Sequence, residues 1–246
     1  MIEKVGSLTA FAMTVLWCVF TGPRYWGELF RMMDVLARRC LIPVGLAVAP
    51  VGAVISLQGV EAFREFGAEG MLSPMLGTSV FRQYSPMLAS VMVAAQAGSS
   101  ISARIGTMKV RGQIDALAVM SVDPVRYVVV PGIIACIIVT PLLNVITTIL
   151  GLISGWFFAV PIGGINHGIF MANLFAEITP MDLWVGLGKC MVFGGAVGLI
   201  AGYLGLRTTG GAEGVGRAAN NTVVATILLI TLADYLLGLM LLALQI

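Results

Sequence analysis

The chain has 246 residues, of which 59% are hydrophobic and 11% charged, and its formal net charge is +2. Soluble domains are closer to half apolar and a quarter charged, so this composition excludes an ordinary soluble domain and indicates a protein surrounded by lipid. The small net charge gives no reason to expect a nucleic-acid partner. A single histidine, His167, argues against a histidine metal cluster or a His-based triad.

The N-terminal segment predicts a helix that lies in the membrane surface. Lys4 is followed by the apolar run LTAFAMTVLWCVF, and no small-x-small cleavage site follows it. A run of this length reaches only ~20 Å as a helix, short of the ~30 Å hydrocarbon core. We therefore expect an interfacial helix over about 8–21, with Trp17 and Trp26 at headgroup depth.

Five transmembrane helices are predicted, at about 39–62, 71–101, 127–158, 184–206 and 222–244. The second predicted span contains the polar stretch FRQYSP. We keep it as a span, because without this crossing the charges of the loops could not alternate between the two sides of the membrane. With five spans, the cytoplasmic side collects most of the basic residues, namely Lys4, Arg24, Arg31, Arg38, Arg39, Arg104, Lys109, Arg111, Arg126, Arg207 and Arg217. The positive-inside rule then places the N-terminus in the cytoplasm and the C-terminus outside.

A charged stretch, GSSISARIGTMKVRGQIDALAVMSVDP, lies between the second and third predicted spans. Val110, Ile114, Leu117 and Ala118 recur in it at helical spacing, which predicts a short amphipathic helix over about 107–121. Two interpretations stay open. The helix either lies on the membrane surface or docks into a groove of a soluble partner.

Two motifs resemble the MlaE/YrbE permeases, the membrane subunits of ABC transporters that serve MCE-domain lipid carriers. They are AGSSISARIGTMKVRGQIDALAVMSVDPVRYVVVP and GGAEGVGRAANNTVV, and the likeness extends from PVGLAVAPVGAVISLQG through LADYLLGLM. The resemblance implies one permease domain over 1–246, an all-α membrane protein with an N-terminal interfacial helix, five transmembrane helices and a cytoplasmic coupling helix between spans 2 and 3. It also implies a multi-pass location in the bacterial inner membrane, with the C-terminus periplasmic.

The resemblance further implies partners: a second permease protomer in a homodimer, a cytoplasmic ABC ATPase, a periplasmic MCE-domain protein, and phospholipid or a related lipid as cargo. No cofactor is expected in this chain, because ATP and Mg²⁺ belong to the ATPase. The nearest imitation of a phosphate loop, GAEGVGRA, has Arg217-Ala218 in place of Lys-Ser/Thr. The residues expected to couple to the ATPase are Lys109, Arg111, Gln113, Asp115, Leu117 and Asp123.

Three ionisable residues, Arg82, Lys189 and Asp234, fall at membrane depth, where each costs ~2.5–3.5 kcal/mol if left facing lipid. In one interpretation the cations snorkel or pair with a structural acid, with Asp234 as the intramembrane charge partner. In the other interpretation, the cationic groups bind a lipid phosphate in a cavity between two protomers. The resemblance implies this, because similar positions border that cavity in the family. The predicted lipid-binding residues are Arg82, Phe66, Leu72, Leu76, Phe81, Tyr84 and Lys189.

The sequence departs from its relatives at several positions. Many relatives have an acid at the position of Gln83 and a basic residue at that of Gln96, and we hypothesise that two hydrogen-bonding amides replace a buried ion pair here. Gly112 and Arg104 stand where relatives often have acids. The spacing of Gly194, Gly198 and Gly202 predicts close helix packing, either within one protomer or between two.

Two other classes of function are alternatives to a permease subunit. An ATP-independent secondary transporter of a hydrophobic or amphipathic substrate would need a coupling-ion site, for which Asp234 is the one plausible proton carrier. A membrane enzyme would need convergent catalytic groups, and only Asp182 and Glu177 near His167 come into question. We therefore expect a transporter subunit without enzymatic activity of its own.

Overall fold

The computed structural model describes residues 2–21 and 26–243, and these residues form helices and turns without any β-strand. The predicted all-α membrane protein is confirmed. The helices, in chain order, are α1 (Ile2–Thr21), α2 (Trp26–Glu65), α3 (Leu72–Ser79), α4 (Ser85–Val93), α5 (Ser99–Val110), α6 (Gln113–Val119), α7 (Val130–Phe157), α8 (His167–Glu177), α9 (Pro180–Leu206) and α10 (Gly211–Ala243). One 3-10 helix, Glu69–Met71, precedes α3.

Four helical segments of the described chain are long and apolar enough to cross a membrane: Trp26–Glu65, Val125–Ile162, Pro180–Leu206 and Gly211–Leu241. They contain the predicted spans 39–62, 127–158 and 184–206, and they contain most of 222–244, whose last residue lies outside the described residues. The predicted span 71–101 belongs to a helical run over 72–110, in which α3, α4 and α5 are joined end to end through the π-helical turns Val80–Tyr84 and Ala94–Gly98. The backbone stays right-handed helical at both junctions. That this run crosses the membrane stays a prediction.

Helix α1 is longer than the predicted helix over 8–21, since it begins at Ile2. Its apolar part is short, and it packs against α7, α9 and the turn that leads into α7. Val15 and Cys18 are buried in this contact, and Trp17 is exposed. The Ser7 hydroxyl shares a hydrogen bond of 2.7 Å with the Tyr203 hydroxyl of α9. The N-terminal helix is therefore fixed to the bundle along one side.

The predicted helix over 107–121 is wrong in its start. The helical run over 72–110 continues as α5 to Val110, and a separate helix, α6, begins at Gln113 and ends at Val119. Between them Gly112 has φ = +71°, in the left-handed region where residues with a Cβ are strained. Because a right-handed helix cannot continue through that conformation, the chain turns there and α6 leaves in a new direction.

Helix α7 is the centre of the bundle, with α2, α4 and α9 packed around it. The glycines of α9 allow it to lie close to α7. A Cβ on Gly194 would lie 2.5 Å from the Cys136 carbonyl oxygen, and one on Gly198 would lie 2.7 Å from the Ile133 Cα, both in α7. The regularly spaced glycines of α9 thus serve packing within one protomer, which was one of the two interpretations.

Candidate functional site

A cluster of polar side chains joins the α3–α4 junction to α9 and α10 inside the bundle. Its centre is Lys189, which is buried on α9. The ammonium Nζ donates to the carbonyl oxygen of Arg82 at 3.0 Å, to Asp234 Oδ1 at 3.0 Å and to Gln83 Oε1 at 3.4 Å. Three acceptors match the three protons of a lysine ammonium. The charge of Lys189 is therefore compensated within the protein.

Pro86 explains why one of these acceptors is available. In an α-helix the N–H of residue 86 would donate to the carbonyl of residue 82, but proline has no N–H. The chain forms the π-helical turn Val80–Tyr84 just before this proline. The carbonyl of Arg82 then accepts the hydrogen bond from Lys189. The local sequence "RQYSP" thus creates an acceptor inside the bundle, and α9 supplies its donor.

Gln83 and Asp234 complete the cluster. The Gln83 amide Nε2 donates to Asp234 Oδ2, and its Oε1 accepts from Lys189. Both oxygens of the Asp234 carboxylate are therefore occupied. The hypothesis that Gln83 and Gln96 bond each other is wrong. Gln96 lies more than three turns further along the same helical run, at about 20 Å, so the two amides cannot meet.

Arg82 pairs with Asp182, not with Asp234. The guanidinium Nε donates to Asp182 Oδ1, and the Asp182 carboxylate is buried while Arg82 is half-buried. Asp182 also caps the first turn of α9, since its Oδ2 accepts from the Thr179 N–H at 2.8 Å and the Thr179 hydroxyl at 2.9 Å. Sequence reasoning missed this partner. The T-x-x-D spacing of a helix cap was the signal that could have placed Asp182 at a helix start.

The apolar residues predicted to bind lipid differ in burial and do not lie together. Leu72 and Leu76 are fully buried in an apolar cluster with Phe170 and Leu174 of α8, so in the single chain they face protein. Phe66 and Tyr84 are exposed, and Phe81 is partly buried. The structure therefore brings Arg82 and Lys189 together through the backbone of residue 82, but it does not gather the apolar set around them.

The predicted coupling residues lie around the turn at Gly112. Lys109 Nζ and Asp115 Oδ1 form an ion pair of 2.8 Å that joins α5 to α6. Arg111 and Gln113 are exposed, whereas Leu117 is partly buried against the core. Asp123 lies after α6, where its Oδ1 accepts from the Val125 N–H at 2.9 Å. Leu117 and Asp123 thus have structural contacts within the chain.

Two further residues of this region were missed. Val119 and Met120, at the end of α6, are 86% and 64% exposed. Large apolar side chains at an exposed helix end suit contact with another protein.

Comparison with known proteins gives the family. The sequence model described as Permease MlaE matches residues 29–240. This chain belongs to the MlaE permease family. A probable ABC transporter permease protein of Rickettsia felis is 34% identical over 235 residues, which cover 96% of this chain and 91% of that relative. A probable ABC transporter permease protein of Synechocystis is 35% identical over 188 residues, 76% of this chain and 72% of the relative.

A plant relative is also similar along most of the permease. The chloroplastic protein TRIGALACTOSYLDIACYLGLYCEROL 1 of Arabidopsis thaliana is 29% identical over 232 residues, which cover 94% of this chain and 66% of the relative. The matched family region contains the Lys189 cluster, the Arg82–Asp182 pair and α6. In the described part of the permease no three His, Cys, Asp or Glu side chains are grouped so as to hold a metal ion.

Proposed function

We propose that this permease is the membrane subunit of an ABC transporter that moves phospholipid or a related lipid between the bacterial inner membrane and a periplasmic MCE-domain protein. Two copies form the membrane domain, and a separate cytoplasmic ATPase supplies the energy. Each chain has its N-terminus in the cytoplasm and its C-terminus in the periplasm. The chain acts through binding and conformational change, without enzymatic chemistry of its own.

The observation that carries this proposal is the exposed helix α6 at the end of a long helical run. Five of the seven residues of α6 are exposed, Ile114 is buried and Leu117 is partly buried, and the exposed apolar pair Val119 and Met120 lies at the end of the helix. A soluble ATPase can bind such a helix. The ion pair of Lys109 with Asp115 connects α6 to α5, so that a movement of α6 is transmitted to α5. Relatives named as probable ABC transporter permeases support the same role.

A lipid cargo is supported by two points. The plant relative carries the name of a lipid, trigalactosyldiacylglycerol. In addition, half-buried Arg82 places a guanidinium among apolar helices, where it can reach an anionic headgroup. The alternative, a proton-coupled secondary transporter, is disfavoured because Lys189 and Gln83 already occupy both oxygens of Asp234.

Native mass spectrometry of the tagged chain, extracted gently from its own membranes, tests the assembly. We expect two permeases with two soluble ATPases and bound phospholipid. Val119→Asp should abolish ATPase association, while Ile162→Asp should leave it intact, because Ile162 is an exposed apolar position in the turn that follows the far end of α7. A permease repeatedly free of ATPase, under conditions that preserve other transporters, would refute the proposal.

Arg82→Ala tests the headgroup role. Phospholipid that co-purifies with the permease should decrease in this variant. Because the change leaves Asp182 without its cation, the double variant Arg82→Ala, Asp182→Asn serves as the control that restores a neutral site. If the double variant is as stable as the wild type and binds as much lipid, Arg82 does not bind headgroups.

A further inference from the structure

A groove separate from the Lys189 cluster lies between α2 and the helix that includes α5. Arg31, Val35 and Arg39 form one wall, with successive residues four positions apart on α2. Gln96, Ser100 and Arg104 form the other wall with the same spacing on the facing, antiparallel helix. Residues four apart share one face of a helix, so the two rows face each other. The groove has a volume of about 350 Å³.

The groove holds more positive charge than the chain compensates. Arg104 is paired with Glu28. Arg39 donates from Nη1 to the neutral Ser100 hydroxyl at 3.0 Å and has no acidic partner among residues 2–21 and 26–243. Arg31 has neither an ion pair nor a hydrogen bond from its side chain within the same described ranges. Two guanidinium groups of the groove therefore have no acidic partner among the described side chains.

The rest of the groove is apolar and continues along α2. Its floor consists of Met32, Leu36, Ala97 and Ile101, all buried in the core. Beyond Arg39, at positions three and seven further along α2, Ile42 and Leu46 are 69% and 71% exposed. These spacings keep both side chains on the face that carries Arg39. Cationic groups at one end and an exposed apolar strip at the other match an amphiphile with an anionic head.

We propose that this groove binds an anionic diacyl phospholipid. The phosphate lies in the field of Arg31 and Arg39, whose planar guanidinium groups suit phosphate oxygens, and an acyl chain follows Ile42 and Leu46. This site is distinct from the Arg82 region, because Gln96 is about 20 Å along the helix from Gln83. That the lipid comes from the cytoplasmic leaflet rests on the proposed topology. The binding itself does not depend on transport.

The test measures phosphatidylglycerol bound to the purified full-length permease by native mass spectrometry. The double variant Arg31→Gln, Arg39→Gln removes both charges and keeps side-chain length. At about 1 kcal/mol for each basic residue near an anionic lipid, the dissociation constant should rise about 10- to 30-fold. Arg31→Lys, Arg39→Lys keeps the charge and should retain most of the binding. Phosphatidylcholine, which has no net charge, should respond much less.

Arg38→Gln is the matched control. Arg38 is beside Arg39 on α2, but it is exposed outside the groove and paired with Asp34 at 2.7 Å. It should leave phosphatidylglycerol binding unchanged. Equal weakening in this control would reveal a general surface-charge effect and overturn the site, as would unchanged binding in the double glutamine variant.

Two further outcomes would assign the groove to another occupant. If inorganic phosphate displaces phosphatidylglycerol at equal concentration, the groove is an anion site without lipid specificity. If the double variant changes the monomer–dimer ratio and leaves lipid binding unchanged, the groove contacts a second copy of the chain. Either result refutes this inference, while ATPase association in the same spectra reports independently on the proposed function.

Discussion

The permease contains two Lys–Asp ion pairs of nearly equal length in opposite environments. Lys189 and Asp234 are 3.0 Å apart inside the bundle, with 4% of each side chain exposed. Lys109 and Asp115 are 2.8 Å apart at the turn before α6, with 34% and 68% exposed. Distance alone would rank them as equals. Because the Lys189–Asp234 pair is buried, removing one partner would leave an uncompensated charge and cost much stability. The Lys109–Asp115 pair is exposed to solvent and contributes little to stability.

The largest effect is expected from breaking the buried pair. Lys189→Met leaves the Asp234 carboxylate buried without a cation, so the free energy of unfolding should fall by about 3–5 kcal/mol. Adding Asp234→Asn removes the stranded charge and should recover most of the loss. The midpoint of thermal unfolding in detergent measures both. If the two single losses simply add in the double variant, the pair is not a unit.

A second test concerns the packing of α9, the helix that carries Lys189, against α7. Gly198→Ala places a Cβ 2.7 Å from the Ile133 Cα, and because backbone must then shift, stability should fall by about 1–3 kcal/mol. Gly195→Ala is the control on the same helix, since its Cβ would meet only Ile137 side-chain atoms at 3.5 Å or more. Equal unfolding midpoints for the two variants would contradict the close α7–α9 packing.

The exposed turn should tolerate more. A Cβ at Gly112 meets no atom within 4 Å, so Gly112→Ala introduces only the strain of a positive φ, about 1–2 kcal/mol. Asparagine adopts this conformation more readily than alanine, and Gly112→Asn should therefore cost less. The ranking is read from unfolding midpoints. A smaller loss for alanine than for asparagine would show that α5 and α6 do not turn through this conformation.

The smallest effect is expected at the exposed pair. Lys109→Met should change the free energy of unfolding by no more than about 1 kcal/mol, because solvent screens both charges. The remaining difference from the wild type should shrink as salt is added. Unfolding midpoints at low and high ionic strength test this. A loss as large as that of Lys189→Met would erase the contrast between the two pairs.

Local sequence determined some of these features and not others. Four spans could be predicted because long apolar runs with at most one charge are already long enough to cross a bilayer. The α5–α6 boundary was missed because the periodic apolar residues continue across Gly112. The turn there depends on one backbone conformation rather than on hydrophobicity.

The partners within the bundle were harder to predict. Arg82 and Asp182 are 100 residues apart, so no local pattern brings them together. Leu72 and Leu76 illustrate a second difficulty. In a membrane protein, lipid-facing and protein-facing residues are both apolar, and periodicity therefore cannot say which of them faces the interior.

The continuous helical run over 72–110 connects two regions that lie far apart in the sequence, the Gln83–Asp234 contact and the turn that precedes α6. Gln83 lies about 40 Å along this run from Val110, where the turn to α6 begins. Under the proposed function, a force on α6 along this axis would reach the Gln83–Asp234 contact through one continuous helical run. The π-helical turn Ala94–Gly98 lies between Gln83 and Val110. Because a π-helical turn is wider than an α-helical one, the helical run can shorten or twist there. Under the proposed function, the ATPase contact at α6 and the Gln83–Asp234 contact would lie on one helical run, with the π-helical turn Ala94–Gly98 between them.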